Sequence, residues 1–217
     1  MELDIQEALR YLGAGGGADE ALTRQVRTVA AELEAALRPR WSYRVLELTW
    51  VGGVPSLGGV ALAGDLAARM LRECGQAAIL VCTLGTEFDR RMRETQARDM
   101  ARAVMLDACG SAWVEAGCDA AEAELRALAP GKFLTDRFSP GYGDLPLDVQ
   151  EPLCALVDAQ RRLGVYVTQS RMLDPAKTVT AVIGLASTPQ PARIRGCDFC
   201  AMRKTCAITK EGKHCGA

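Results

Sequence analysis

The sequence is poor in the side chains that many enzymes use for catalysis. It contains one histidine among 217 residues, and aromatic residues make up only 5 % of the chain. No Ser/His/Asp or Cys/His combination is evident, so a nucleophile activated by a neighbouring base is not expected. We therefore assign no catalytic residue from the sequence.

The chain also lacks charge imbalance and long apolar segments. Its 26 basic and 27 acidic residues give a net charge of −1, which provides no electrostatic reason to expect a nucleic-acid partner. The first residues, Met1–Asp4, do not begin the basic and then apolar pattern of a secretory signal. The longest apolar run, near Ala77–Leu84, is too short to span a bilayer. We therefore expect a cytoplasmic protein without membrane contact.

Two glycine-rich stretches lack the features of nucleotide-binding loops. The stretch at residues 13–17 follows a helical pattern and not a strand, so we expect a flexible connector there. The stretch at residues 52–59 has no Gly-Lys-Ser/Thr sequence, which excludes a P-loop.

Cysteine is abundant, with nine residues in the chain. Five of them are scattered through apolar or helical segments, where they are expected to be small buried residues: Cys74, Cys82, Cys109, Cys118 and Cys154. The other four crowd into the last 21 residues: Cys197, Cys200, Cys206 and Cys215. This spacing is typical of a four-thiolate metal site, with His214 as a substitute ligand for Cys215. An iron–sulfur cluster, structural zinc and unmetallated thiols all stay open.

Hydrophobic periodicity predicts both helices and strands. Helices are expected at residues 3–12, 18–38, 61–74, 87–128 (with a break near Gly117) and 148–163. Strands are expected at residues 44–50, 77–84, 165–172 and 178–185, the last two as a hairpin or strand pair. Leu46, Leu48 and Trp50 are expected to face the core. The order of elements favours an α+β fold with a mixed or antiparallel sheet and flanking helices.

An irregular segment from Arg137 to Pro146 has the composition of a stiff loop. Gly141 and Gly143 permit backbone conformations that other residues avoid, while two prolines restrict the chain. Such a loop can hold a polar small molecule with the Arg137 guanidinium and the Tyr142 phenol. An ordered turn of purely structural importance is the alternative.

This loop resembles a signature of the activation domain of cobalamin-dependent methionine synthase, Arg-x-x-x-Gly-Tyr-Pro-x-x-Pro. The matching residues are Arg137, Gly141, Tyr142 and Pro146. The sequence departs from the signature at residues 143–145, where Gly-Asp-Leu replaces Pro-Ala-Cys. The resulting Gly-Tyr-Gly-Asp run resembles stand-alone relatives of the domain.

Three further segments resemble the same family in order and spacing: the apolar strand at 78–85, the helix at 99–115, and Ser170–Thr180, which is similar to a Ser-x-x-x-x-Pro-x-x-Ser-Val-Ser element. The resemblance covers roughly residues 40 to 187. Together with the helical pattern before it and the cysteine cluster after it, this predicts a helical N-terminal region at 1–40, an activation-domain-like core at 41–188 and a Cys-rich tail at 189–217.

The resemblance also implies a function and a set of binding residues. The core would bind S-adenosylmethionine in a shallow groove formed by Glu115, Arg137, Phe138 (through its backbone), Gly141 and Tyr142. Glu115 would pair with the α-ammonium of the cofactor, although a solvated helix carboxylate is the alternative. The chain would serve the reductive methylation that reactivates a corrinoid-dependent methyltransferase such as methionine synthase.

The cobalamin would be carried by a partner, because the chain contains no Asp-x-His-x-x-Gly motif. A protein electron donor would also be needed, and a metal cluster in the tail could pass on its electron.

Two other functions stay open. One is an iron–sulfur or zinc protein for redox or docking that keeps the fold without binding a methyl donor. The other is an ordinary methyltransferase, which residues 50–59 fit poorly because Pro55 interrupts them.

Overall fold

The computed structural model describes residues 1–14 and 17–191, and its fold is α+β. The helices are α1 (Ile5–Tyr11), α2 (Glu20–Ala36), α3 (Asp65–Leu71), α4 (Thr86–Gln96), α5 (Met100–Leu128), α6 (Gln150–Leu156) and α7 (Ala159–Leu163). The strands are β1 (Arg40–Val51), β2 (Val54–Leu57), β3 (Val60–Ala61), β4 (Cys74–Thr83), β5 (Phe133–Leu134), β6 (Tyr166–Val167), β7 (Leu173–Asp174) and β8 (Thr178–Ala186). A single 3-10 turn at Leu147–Val149 precedes α6.

The main sheet has six strands in the order β3-β2-β1-β4-β8-β5, and every neighbouring pair is antiparallel. Strand β4 lies at its centre, where Thr83 pairs with Arg40 of β1 on one side and with Thr178 of β8 on the other. A separate pair is formed by β6 and β7. The predicted α+β class, with an antiparallel sheet and flanking helices, is confirmed.

Helices cover both faces of this sheet, and this explains the continuous apolar run of β4. Ala78, Leu80 and Cys82 pack into a core with residues of α1, α2 and α5. The alternate residues Ala77, Ile79 and Val81 pack into a second core with residues of α3, α6 and α7. Because successive side chains of a strand point to opposite faces, a strand covered on both sides needs apolar residues at every position.

The long helical region is divided at a different place from the one predicted. The chain leaves α4 after Gln96 and begins α5 at Met100, where the Asp99 carboxylate accepts a hydrogen bond from the Arg102 N–H. Gly117, where a break was predicted, lies inside the helix. A Cβ atom there would be 2.5 Å from Pro39 Cβ and 2.7 Å from Cys82 Sγ, so glycine lets α5 approach the sheet closely.

Several other predictions need correction. Trp50 is 41 % exposed, because β1 pairs with β4 only as far as Glu47 and then continues in a hairpin with β2. The predicted helix at 61–74 is shorter, since β3 occupies its start and β4 its last residue. The predicted helix at 148–163 is divided at Asp158, whose φ of 55° is left-handed. The expected pairing of 165–172 with 178–185 is wrong: β6 pairs with β7, while β8 belongs to the main sheet.

The N-terminal helices α1 and α2 pack against α5 and share its core. The division of the chain near residues 40 and 188 stays a prediction, and Gly15, Gly16 and the tail cysteines lie outside the described residues. In the described ranges, every helix is too short or too polar to cross a membrane.

Candidate functional site

Arg137 and Phe138 lie at the edge of the main sheet and point to opposite sides of it. The Phe138 N–H donates to the Val182 carbonyl at 3.0 Å, and the Val182 N–H donates to the Phe138 carbonyl at 2.8 Å. The Phe138 ring is buried in the core beneath α3 and α6. The Arg137 side chain extends towards α5, on the other face, as alternation along an extended segment requires.

Three carboxylates of α5 surround the Arg137 guanidinium. Its Nη2 contacts Glu115, while Nη1 donates to Asp119 Oδ1 at 2.6 Å and to Glu122 Oε1 at 2.5 Å. These acids follow one another at intervals of four and three residues, the spacing that places side chains on one helix face. Only 12 % of the Arg137 side chain and 6 % of the Glu122 side chain are exposed, so the ion pair between them is largely buried.

The charges of this cluster do not balance. Burial alone would lower the pKa of Arg137, but the negative charges around it, led by Glu115, outweigh burial and raise its pKa above the ordinary value. Arg137 therefore stays cationic. Arg126 of α5 also lies 3.4 Å from Glu122, so three carboxylates face two guanidiniums, and among the described residues one negative charge is in surplus when all five groups are ionised. Such a surface favours a cationic ligand group.

The guanidinium also keeps some hydrogen-bonding capacity. It has five N–H donors, and within residues 1–14 and 17–191 its hydrogen bonds to side chains number three. Two N–H groups are therefore left for an incoming acceptor. A planar pair of N–H donors suits a carboxylate.

The same face of α5 continues towards its N-terminus with a second cation. Lys177 Nζ lies 3.0 Å from Asp107 Oδ1 and 2.8 Å from Ser111 Oγ. The neighbouring Ala176 N–H donates to Asp89 Oδ2 of α4 at 3.2 Å. The loop between β7 and β8 is thus fixed to α4 and α5. A polar strip runs along α5 from Asp107 to Glu122.

The Gly-Tyr part of the loop lies away from this strip. The Gly141 N–H donates to the Leu145 carbonyl at 2.9 Å, and the Tyr142 N–H donates to the Ser139 carbonyl at 3.0 Å. Gly141 has a φ of 83°, which suits glycine, and the Tyr142 side chain is exposed. Leu145 is buried in the core that contains α3. The structure thus brings Glu115 and Arg137 into contact, whereas the backbone N–H groups of Gly141 and Tyr142 close a turn on the α3 side.

Asp144, which the sequence did not single out as functional, holds this turn to α3. Its two carboxylate oxygens accept hydrogen bonds from the Asp65 N–H at 2.7 Å and the Leu66 N–H at 3.0 Å. Hydrogen bonds from the Leu66 and Asp65 backbones hold the pKa of Asp144 below its ordinary value. The helix has no side-chain cap of its own, because Gly64 precedes it. No local pattern could reveal a cap that comes from 79 residues away.

Two grooves lie between helices, and Arg137 lines neither of them. The first, of about 220 Å³, is formed by α2, α4 and α5 and is rich in charged side chains, among them Arg98 and Arg102. The second, of about 290 Å³, is formed by α1, α4 and α5. Its lining includes Asp107 and Ser111, so it adjoins the polar strip.

The five scattered cysteines are buried, as the sequence predicted. Burial raises the pKa of the Cys109 thiol to about 12, and a hydrogen bond with Cys82 together with burial raises the pKa of Cys118. Thiols with raised pKa values are poor nucleophiles and metal ligands. Among the described residues, no group of three or more histidine, cysteine or acidic side chains is placed to hold a metal ion.

The fold is similar to that of a solved structure, the crystal structure of the MetH reactivation domain bound to AdoHcy. The TM-score is 0.60, the sequence identity is 14 %, and the match covers 90 % of this chain and 75 % of that chain. Similarity at this level of identity shows a common fold. No protein-family model and no curated protein matches the sequence.

Proposed function

We propose that this protein binds S-adenosylmethionine beside Arg137 and serves in the methylation that reactivates a corrinoid-dependent methyltransferase such as methionine synthase. One observation carries this proposal: Arg137, part of the family signature, contacts Glu115 on a fold similar to a reactivation domain bound to AdoHcy. AdoHcy, S-adenosylhomocysteine, is S-adenosylmethionine without the methyl group.

The charges around Arg137 fit this ligand. S-adenosylmethionine carries two positive charges, on its α-ammonium and sulfonium groups, and one carboxylate. The α5 acids exceed Arg137 and Arg126 by one negative charge, which matches the net positive charge of the ligand, and among the described residues Arg137 has two N–H groups left for an acceptor. Glu115 would receive the ammonium and Arg137 the carboxylate, both through charge-assisted hydrogen bonds.

In this role the protein positions the methyl donor, and no proton transfer by a side chain is needed. When bound, S-adenosylmethionine supplies the methyl group, and the reduced corrinoid of the partner supplies the nucleophile. Holding the methyl donor in a fixed orientation is what Glu115, Arg137 and the sheet edge beneath them would contribute. The turn at Gly141 and Tyr142, which Asp144 attaches to α3, would support the Arg137 end of the loop from the other face of the sheet. Phe138 would keep the loop attached to β8.

Calorimetric titration with S-adenosylmethionine tests the binding. The Glu115→Gln variant keeps the size of the side chain and removes the charge, so the dissociation constant should rise by roughly 10-fold or more. Arg126→Ala is the matched control, because Arg126 also contacts Glu122 (at 3.4 Å) but is mostly exposed. Wild-type protein that is folded by circular dichroism and does not bind would contradict the proposal.

The corrinoid partner requires a separate experiment. A corrinoid-binding domain loaded with cob(II)alamin, a chemical reductant and labelled S-adenosylmethionine should yield methylcobalamin only when this protein is added. Equal methylation without the protein would rule out its part in reactivation. An electron donor protein would be sought by replacing the reductant with cell fractions.

The metal in the Cys-rich tail stays a prediction based on the spacing of Cys197, Cys200, Cys206 and Cys215. Anaerobic purification followed by iron, sulfide and zinc analysis distinguishes an iron–sulfur cluster from structural zinc. A result of one equivalent of zinc without sulfide would rule out electron transfer by a cluster in the tail.

A redox or docking protein without a methyl donor is the second candidate. It is favoured because groups that a ligand would need already have partners in the protein. Arg137 contacts three carboxylates, and the Phe138 N–H donates a hydrogen bond to the Val182 carbonyl. Absence of S-adenosylmethionine binding in fully metallated protein would select this function.

A further inference from the structure

The groove between α1, α4 and α5 is lined mainly by apolar side chains. Its lining includes Tyr11 of α1, Met92 of α4, and Met100, Val104, Asp107 and Ser111 of α5. Tyr11, Met100 and Val104 are exposed, each by more than two fifths of its surface. Large apolar side chains around one concavity, with polar groups at one side, are typical of a ligand-binding groove.

This groove adjoins the Arg137 cluster. Asp107 and Ser111 lie on its wall, and Glu115 follows Ser111 by one helical turn, which is about 6 Å. Tyr11 connects the two regions as well, since burial and the negative charge of Glu115 raise the pKa of its phenol. From Val104 to Glu115 the helix rises about 16 Å, which is enough for a nucleoside and an amino acid placed end to end.

We propose that this groove holds the purine nucleoside half of the ligand whose amino-acid half binds at Arg137 and Glu115. The inference rests on the proposed function and extends it, because it assigns the adenosine part to residues outside the family signature. It also gives the N-terminal helix α1 a binding role through Tyr11.

The side chains of the groove suit a purine nucleoside. The Tyr11 ring offers a stacking surface, and the thioethers of Met92 and Met100 make favourable contacts with aromatic ring edges. Asp107 has an exposed carboxylate, and its ion pair with Lys177 uses Oδ1. The other oxygen can accept hydrogen bonds from ribose hydroxyls, as an acidic residue does in dinucleotide-binding folds.

Two tryptophan substitutions on α5 test the groove. Val104→Trp fills it with an indole ring, whereas Ala101→Trp places the same ring at an exposed position on the same helix outside the lining. Both sites are exposed, so both variants should fold, which circular dichroism checks. Titration uses three probes: S-adenosylmethionine, 5′-methylthioadenosine (the nucleoside without the amino acid) and methionine.

Val104→Trp should weaken binding of S-adenosylmethionine and 5′-methylthioadenosine at least 10-fold, while Ala101→Trp should not change either. Asp107→Asn should weaken 5′-methylthioadenosine more than methionine. Unchanged affinity of Val104→Trp for S-adenosylmethionine would overturn the groove assignment and leave the proposed function intact. Wild-type protein that binds 5′-methylthioadenosine in the groove but not S-adenosylmethionine would support the groove and contradict the proposed function.

Discussion

Arg137 and Asp144 are seven residues apart in one loop, and both attach the loop to a helix, but they do so in different ways. Arg137 contacts three side-chain carboxylates of α5 on one face of the sheet. Asp144 accepts hydrogen bonds from two backbone N–H groups of α3 on the other face. The first attachment leaves surplus charge and unused donors, whereas the second satisfies both oxygens of the carboxylate.

Under the proposed function, ligand binding and structural support would lie at opposite ends of this one loop. A side chain such as Glu115, which is 32 % exposed, can exchange a protein partner for a ligand by rotation about its own bonds. The backbone N–H groups of Asp65 and Leu66 have no such freedom, because they belong to the first turn of a helix. We therefore assign ligand contact to the Arg137 end of the loop and structural support to the Asp144 end.

The largest expected effect on stability is at the Arg137 end. Arg137→Ala removes the buried partner of Glu122, whose contact with the mostly exposed Arg126 is longer at 3.4 Å, and the free energy of unfolding should fall by about 3 kcal/mol, the usual loss when one partner of a buried pair is removed. Urea denaturation measures it, with Arg126→Ala as the exposed control. A loss similar to that of the control would show that the carboxylates are solvated and that the two ends of the loop do not differ.

A smaller loss is expected where the Asp144 end approaches the chain before α3. Gly64 has a φ of 113°, and a Cβ atom there would lie 2.7 Å from the Asp144 carbonyl oxygen. Gly64→Ala should lower the free energy of unfolding by about 2 kcal/mol through backbone strain and displacement of the cap. Gly131→Ala is the control, since it also has a positive φ but nothing within 4 Å. Equal losses for Gly64→Ala and Gly131→Ala would indicate backbone strain alone, without displacement of Asp144.

Removal of the cap itself should have a milder and pH-dependent effect. Because the pKa of Asp144 is lowered by folding, its contribution to stability is present above the ordinary carboxyl pKa of 3.8 and is lost as the pH falls through the folded value. Asp144→Asn should therefore lower the melting temperature at neutral pH, and the difference from wild type should vanish in acid. A difference that persists in acid would contradict the charged cap.

The smallest effect is expected for an ion pair on the outside of α4. Arg90 contacts Glu87 and Glu94, and all three side chains are exposed. Exposed pairs contribute little to stability, so Arg90→Ala should leave the melting temperature unchanged within error. A clear decrease in the melting temperature would mean that exposed ion pairs also stabilise this protein, and that burial is not what distinguishes Arg137 from Arg90.

The sequence predicted those features that depend on residues close together in the chain. The apolar run at 77–84 predicts a buried strand, and the structure has β4 there, buried from Ala77 to Thr83. The contact of Arg137 with Glu115 could be expected only through the family resemblance, because no local pattern connects a loop with a helix 22 residues earlier.

The features that the sequence missed depend on contacts between distant segments. Trp50 alternates like a core residue, but it is exposed because it lies beyond the start of β4, whose pairing with β1 stops at Glu47 and Gln76. Gly117 predicts a helix break, because nothing in the sequence shows that Pro39 and Cys82 approach it. The cap from Asp144 to α3 was missed for the same reason. Each of these requires knowledge of which segments are neighbours in the fold.

A crystal structure of the wild-type protein grown with S-adenosylhomocysteine would show directly whether the ligand binds along α5. We predict electron density there, with the ligand carboxylate at Arg137, its ammonium at Glu115 and its purine beside Tyr11 and Val104. A ligand bound elsewhere, or crystals without ligand at concentrations that saturate a reactivation domain, would contradict it.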